Sequence, residues 1–342
     1  MNSLCSFRWL GRGKGFVESR PIPSDNAYPN PGPCARPCPC PKKEGSKVAP
    51  TLYEQRRERY REIQDAFVHR RAPASPIVVE MEPTTACNLA CAFCPRGSLR
   101  RPEGWLSEGD FLSILSNLGD PPDKGMLLFS GFGEPLQHEN LAVFVRHAKQ
   151  AGWFCGITTN GTRLSEPSAE GLVFAGLDVL QVSLHAVTDA IYRRVVKGGS
   201  FDDVVNRVQS ILPVCENTIL LALNFTVTPW NREEIRDFAS YWRERGISHI
   251  NFSLCHNRGG HFHGLSRASS LPGSGRAPAG CWTYRNALYV TWDGRLLACC
   301  NDLTGETCRG DLRCTPLREI REKEKGQEPL HEICLPCDFP FC

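Results

Sequence analysis

The chain has 342 residues, with 40 Lys and Arg against 37 Asp and Glu, for a formal net charge of +3. That length holds one barrel-sized domain plus a smaller module, and so mild a charge gives no argument for nucleic acid or an anionic membrane surface as a partner. No run approaches the roughly 20 apolar residues that span a bilayer, and the opening MNSLCSFRWLGRGKG has no sustained apolar signal core. A cytoplasmic chain is expected, in which 18 cysteines imply metal, redox or catalytic chemistry rather than a disulfide frame.

Residues 1–50, with PSDNAYPNPGPCARPCPCPKKEGSK, are rich in Pro, Gly and Lys/Arg and predict a disordered or loosely attached extension. Its Cys34, Cys38 and Cys40 are interleaved with prolines that prevent a compact ligand loop. Residues 51–75 carry LYEQRRERYREIQDAFVHRR, a charged helix with a narrow apolar face, expected to pack on the outside of the domain after it. Over 76–255, strand-like IVVEME, GMLLFS, WFCGITT, LDVLQVSL, TILLALNFTV and ISHINFSL alternate with helix-like SEGDFLSILSNL, ENLAVFVRHAKQAG, SEPSAEGLVFAG, FDDVVNRVQSIL and NREEIRDFASYWRERG. Strand and helix in turn predict an α/β protein built of parallel units. Right-handed crossovers curl them into a partial (βα)6 TIM-like barrel or a wound sheet, with functional residues at the strand C-termini. Residues 256–280, Gly/Ser-rich, form a linker loop. Residues 281–342 form a small cysteine-rich module with a hairpin signal in NALYVTWDGRLLACC, where Asp293-Gly294 separates two apolar runs.

The stretch CNLACAFC places Cys87, Cys91 and Cys94 just after the first strand. Cysteine thiolates hold iron–sulfur clusters, four to a cubane, and also close zinc sites. Three in one loop leave a corner open, either for substrate chemistry at a cluster or for a fourth zinc ligand from elsewhere. The Cys-x-x-x-Cys-x-aromatic-Cys pattern of Cys87, Cys91, Phe93 and Cys94 resembles the signature of the radical S-adenosylmethionine superfamily. That resemblance implies a [4Fe-4S] cluster on the three cysteines, its fourth iron chelated by S-adenosylmethionine. Ser130-Gly131-Phe132-Gly133-Glu134-Pro135 after the second strand is similar to the family's Gly-Gly-Glu-Pro motif, where small residues let backbone carbonyls approach the methionine ammonium. Thr158-Thr159-Asn160-Gly161-Thr162 resembles its Thr-Asn-Gly. Ser183, in VSLHA, stands where the family often has Ser-Leu-Asp, but His185 replaces the aspartate, so no role carries over to that position. The resemblance further implies Phe93 near the adenine and Asn224 near the ribose.

In the C-terminal module, Cys281, Cys299 after Gly294-Arg295-Leu296-Leu297-Ala298, and Cys334-Leu335-Pro336-Cys337 supply four thiolates, for zinc or a second cluster. Their order resembles the SPASM or shorter twitch extension of radical S-adenosylmethionine enzymes, which implies one auxiliary [4Fe-4S] cluster on these four residues. Cys300, Cys308, Cys314 and Cys342 remain as partial ligands for a second. The implied reaction is reductive cleavage of S-adenosylmethionine to a 5'-deoxyadenosyl radical and abstraction of a substrate hydrogen. Two-electron oxidation or a related modification of a peptide or small metabolite is the implied outcome, with flavodoxin or ferredoxin as electron donor and no nucleic acid or membrane as partner. Two loop residues after the sixth strand are catalytic candidates: Cys255 as a hydrogen donor, which would give epimerisation, and Arg258 as a binder of a substrate carboxylate or phosphate. The other function class is a non-catalytic iron–sulfur or zinc-binding protein.

Overall fold

The computed structural model describes residues 49–68, 78–122, 125–261, 281–325, 331–335 and 337. The extension with Cys34, Cys38 and Cys40, most of the linker loop, and Cys342 lie outside the described residues. Six parallel strands, β1 (Val78–Met81), β2 (Met126–Phe129), β3 (Phe154–Thr159), β4 (Val179–Ser183), β5 (Leu220–Val227) and β6 (His249–Leu254), lie side by side in chain order. They alternate with α2 (Glu108–Leu118), α3 (Leu141–Gln150), α4 (Glu166–Phe174), the pair α5 (Asp189–Val195) and α6 (Phe201–Cys215), and α7 (Ile235–Glu244). Sequential order with no reversal is what right-handed crossovers give in a partial barrel, and it decides against the doubly wound sheet.

Both faces of the sheet are covered, as parallel sheets require. Outward residues Leu127, Phe129, Ile157, Leu180, Val182 and Phe225 pack with Phe111, Phe144, Phe238 and Trp242 of the surrounding helices. Each such buried side chain contributes about 1.5–3 kcal/mol. Inward residues Val78, Met126, Leu128, Val179, Leu220 and Ala222 occupy the lower half of the interior with Tyr60 and Ile63 of α1 (Leu52–Val68).

The first helix is therefore more than an outer covering. Arg56 donates to Asp178 Oδ1 (2.9 Å), to the Gly176 carbonyl (3.3 Å) and to the Thr218 carbonyl, and Arg59 lies over the Phe154 ring (5.2 Å). These partners stand at the N-terminal ends of β3, β4 and β5, so α1 closes the bottom of the barrel. Long arginines on a helix with a narrow apolar stripe reach the carbonyls left over where strands begin.

The cysteine module is built onto the barrel. Beyond the short α8 (Trp282–Asn286), β7 (Ala287–Val290) pairs parallel with β1, from Val78↔Ala287 to Met81↔Val290. It turns at Asp293-Gly294 into antiparallel β8 (Arg295–Leu297), which pairs with β9 (Cys308–Asp311), and α9 (Leu317–Lys323) comes next. The result is one nine-stranded sheet in the order β6-β5-β4-β3-β2-β1-β7-β8-β9.

Candidate iron–sulfur and cofactor site

The three-cysteine loop leaves the C-terminal end of β1, and backbone bonds pin it to the opposite side of the barrel mouth. Ala90 N–H donates to the Lys197 carbonyl and Ala92 N–H to the Val195 carbonyl, each at 2.9 Å. Cys91 is buried, Cys87 and Cys94 half-buried. Burial, and then the negative charge of the neighbouring thiolates, pushes the Cys91 thiol up to about 12; burial is also the largest cause raising Cys87, where Cys94 adds to it. Three sulfurs close enough to oppose one another's ionisation form a stable thiolate set only around positive charge. Among the described residues, no group of three or more His, Cys, Asp or Glu is gathered as tightly as a single metal ion needs. A multi-iron cubane accepts a wider spread of sulfurs, and this donor set fits one.

The loops after β2 and β3 are tied to the cysteine loop through Glu134. Its Oε1 accepts from Thr159 Oγ1 (2.6 Å) and Leu136 N–H (2.9 Å), and its Oε2 from Asn160 N–H (2.7 Å). Burial raises its carboxyl against these donors. Asn160 Nδ2 then donates to Asn88 Oδ1 (3.0 Å) and, more weakly, to Cys87 Sγ (3.9 Å). So Glu134 and Thr159 are joined to Cys87 through Asn160. Pro135 opens the turn after Glu134.

Gly131 has φ +117, and an added Cβ there would lie 2.8 Å from Glu82 Cγ; at Gly133 it would lie 1.9 Å from the Thr84 carbonyl oxygen. At Gly133 the close approach is therefore of one strand end to another. Phe93 is fully buried and meets the His185 ring edge to face, with centroids 4.8 Å apart.

Ser183 is buried on β4, and its Oγ has no partner among the described residues. Asn224 is engaged lower in the interior, donating to Gln181 Oε1 (2.9 Å) and accepting from Asn251 (2.8 Å).

His185 stands out in its environment. It is 1% exposed, and burial drives its pKa well below the ordinary histidine value. Nδ1 accepts from Thr226 N–H (3.0 Å), which fixes the proton on Nε2, a donor without a partner among the described residues. The sequence carries a signal for this face of β4 in the run VLQVSLHA, where Gln181, Ser183 and His185 recur every second residue.

Two further buried charged residues at the barrel mouth have no motif to mark them. Arg101 and Glu82 form an ion pair (2.8 Å) with both side chains at 0% exposure, and Tyr289 of β7 donates to Glu82 Oε1 (2.8 Å). The network joins the end of β1 to the cysteine module, and no local pattern around either residue announces it.

In the module, burial raises the Cys334 thiol first, and the charges of Cys281 and Cys337 add to it. Cys299 accepts from Asn301 N–H (3.4 Å) and, like Cys337, packs against the cluster that includes Leu297, Cys300 and Leu303. Cys308 and Cys314 are exposed.

Cys255 is buried directly after β6, its N–H on the Val227 carbonyl (2.9 Å). Arg258 is buried with φ +54, and its N–H donates to His256 Nδ1 (3.1 Å). With Cys94, Gly131, Phe132, Tyr289 and Cys300 it lines a small cleft between the cysteine loop and the module.

A barrel mouth with a three-thiolate loop on one side and a second cysteine set on the adjoining sheet edge defines an iron–sulfur enzyme. The chain belongs to the radical S-adenosylmethionine superfamily: that family's model matches residues 81–241, and the model of the SPASM iron–sulfur cluster-binding domain matches residues 281–338. Its cofactors are a [4Fe-4S] cluster with S-adenosylmethionine, and an auxiliary iron–sulfur cluster in the module.

A probable GTP 3',8-cyclase of Saccharolobus islandicus is 31% identical over 174 residues, 51% of this chain and 55% of that protein. A tungsten-containing aldehyde ferredoxin oxidoreductase cofactor-modifying protein of Pyrococcus furiosus is 27% identical over 49% of this chain and 48% of its own length. The chain thus spans about half the length of these curated relatives.

Among solved structures the fold is similar to Streptococcus suis SuiB bound to precursor peptide SuiA (TM-score 0.57, 14% identity, 83% of this chain and 75% of that one). It is also similar to BtrN in complex with AdoMet and 2-DOIA (TM-score 0.53, 18% identity, 78% and 94%). No described helix is long and apolar enough to cross a membrane.

Proposed function

We propose that this enzyme abstracts a hydrogen atom from a peptide or small metabolite and completes a two-electron oxidation or related modification with one auxiliary [4Fe-4S] cluster. The observation that carries the reading is the pairing of β7 with β1. It sets Cys300 and Tyr289 of the module beside Cys94 and Arg258 around one small cleft, with the proposed auxiliary ligand Cys299 next to Cys300 in the chain.

In this reading Cys87, Cys91 and Cys94 hold the first cluster and leave its open corner to the co-substrate. When bound and reduced, the cluster supplies one electron that cleaves S-adenosylmethionine to a 5'-deoxyadenosyl radical. Glu134, with Thr159 and Asn160, locks the loops around that corner; Gly131, Gly133 and Pro135 shape the methionine end. Phe93 and Ser183 serve the nucleoside; Asn224, expected near the ribose, has its amide bonded to Gln181 and Asn251 instead. Arg258 holds a substrate carboxylate or phosphate. Cys281, Cys299, Cys334 and Cys337 hold the auxiliary cluster. The reductant is a flavodoxin or ferredoxin and the compartment the cytoplasm.

The test is iron and sulfide per chain after anaerobic reconstitution, in wild type and in a Cys87→Ala/Cys91→Ala/Cys94→Ala variant. About eight irons in wild type and about four in the variant are expected. No iron left in the variant overturns the auxiliary cluster.

A second reading keeps Cys255 as a hydrogen donor to the substrate radical, on its buried place directly after β6. Cys255→Ala then converts an epimerised product into uncoupled 5'-deoxyadenosine; an unchanged product removes Cys255 from the reaction.

A further inference from the structure

Inside the barrel a row of side-chain amides is oriented in a single direction. Gln64 of α1 donates from Nε2 to Asn251 Oδ1 (2.7 Å). Asn251 Nδ2 donates to Tyr60 Oη (3.0 Å) and to Asn224 Oδ1 (2.8 Å), and Asn224 Nδ2 donates to Gln181 Oε1 (2.9 Å). Each amide after Gln64 spends its oxygen on the previous donor, so the orientations of Asn251, Asn224 and Gln181 are fixed by their neighbours.

The relay runs from the floor across β6 and β5 to β4 and ends at Gln181 Nε2. That nitrogen can only donate, and nothing among the described residues accepts from it. Beside it in the β3–β4 register stands Thr158, whose Oγ1 is also unpartnered among the described residues. Both residues are 2% exposed. An unmade hydrogen bond at such depth costs about 1–3 kcal/mol, and buried polar groups are rarely left so without a reason.

From this geometry we infer that Gln181 and Thr158 form the substrate-recognition point of the barrel, taking an uncharged carbonyl oxygen of the amide or peptide type. The inference rests on the proposed reading that this enzyme modifies a peptide or small metabolite, and it names the chemistry recognised inside the barrel. Two donors on adjacent strands suit one oxygen with two lone pairs. The neighbouring inward residues Ser183, Asn224 and Asn251 carry no positive charge to favour a carboxylate or phosphate at this level. The point lies one inward step below Ser183 on the same face of β4, so a group held there projects toward the cofactor loops. The relay's anchorage in α1 keeps the Gln181 amide from turning over, which makes its nitrogen a preorganised donor.

The test uses reconstituted holoenzyme with S-adenosylmethionine, titrated calorimetrically with N-acetylalanine methylamide as carbonyl probe and inorganic phosphate as anion probe. The amide is expected to bind and phosphate not to compete with it. Gln181→Glu keeps the acceptor for Asn224 but removes the donor, and it should weaken amide binding tenfold or more. Thr158→Val should weaken it about tenfold and Thr158→Ser should leave it near wild type. Iron content and the circular-dichroism spectrum should stay at wild-type level in both threonine variants, which separates lost recognition from lost folding.

Equal amide affinity in wild type, Gln181→Glu and Thr158→Val overturns the inference. So does binding of phosphate alone, binding of neither probe, or a crystal structure with only ordered water on Gln181 Nε2. A wild-type protein that lacks iron and releases no 5'-deoxyadenosine would instead overturn the enzyme reading itself.

Discussion

The strand ends of β1 to β3 and the inward face of β4 both carry buried polar side chains, and they treat them in opposite ways. At the strand ends the carboxylates and the Asn88 amide have partners within the chain: Glu82 with Arg101 and Tyr289, Glu134 with Thr159 and Asn160, Asn88 with Asn160 and Thr162, although Arg101 Nε is left over among the described residues. On β4 the donors of Gln181 and Ser183, and just beyond it that of His185, are left over among the described residues. A mouth that must hold a cofactor in one place is wired to itself, whereas an interior that must receive a ligand keeps hydrogen-bonding capacity in reserve. The cost of unmade bonds explains the difference: loops satisfied internally are rigid before anything binds, and unsatisfied groups gain most when something does.

Substitutions on the two sides should therefore differ in size and in sign. Arg101→Met leaves Glu82 as an uncompensated charge at 0% exposure and should cost about 3–5 kcal/mol, read as a lower denaturant midpoint. Glu134→Gln replaces one oxygen by an NH2 group facing the Asn160 N–H or the Thr159 and Leu136 donors, so one buried donor loses its bond. A loss of about 1–3 kcal/mol is expected in the same assay.

Histidine on the other side gives a pH signature. His185 and His256 are both held neutral by burial, with folded-state pKa values well below 6.5. Below pH 6.5 the unfolded chain takes up protons that the folded chain refuses, so stability falls as pH drops through that value, and is fully present above it. His185→Asn should flatten the slope between pH 6.5 and 5, measured as the unfolding midpoint against pH. The smallest effect has the opposite sign. Thr158→Val removes an unpartnered hydroxyl and should leave stability unchanged or raise it by up to about 1 kcal/mol, while weakening ligand binding. Thr158 is on β3 but faces inward beside Gln181, and a clear loss of stability there would show that its hydroxyl is not held in reserve.

Much of this molecule is legible in its sequence, for identifiable reasons. The six parallel strands announce themselves through short apolar runs between amphipathic helices, and Asp293-Gly294 marks the turn between β7 and β8 where Gly294 adopts φ +80. The three cofactor loops come directly after their strands, as motif and topology together require. Less visible is where β7 goes. ALYV has the residues of a strand, but period-2 patterning does not name a pairing partner, and the parallel register with β1 is set by distant chain.

The role of α1 was hidden for a related reason: its arginines read as a solvated face until Asp178 and the strand-start carbonyls are placed beneath them. The amide relay is four single polar residues on four elements. Only Gln181, in step with Ser183 and His185, left a trace in the local pattern.

The parallel pairing of β7 with β1 also bears on how the protein is assembled and lost. β1 lies between β2 and β7, so without β7 its outer backbone groups would form an open edge beneath the three-cysteine loop. Open edges recruit other chains. The strand that shields this edge comes from the far end of the described sequence, a contact made late because so much chain must be ordered first. Iron loss or oxidation in the cysteine module that frees β7 would then appear as aggregation seeded at the barrel, and stoppered anaerobic handling would protect solubility as well as activity.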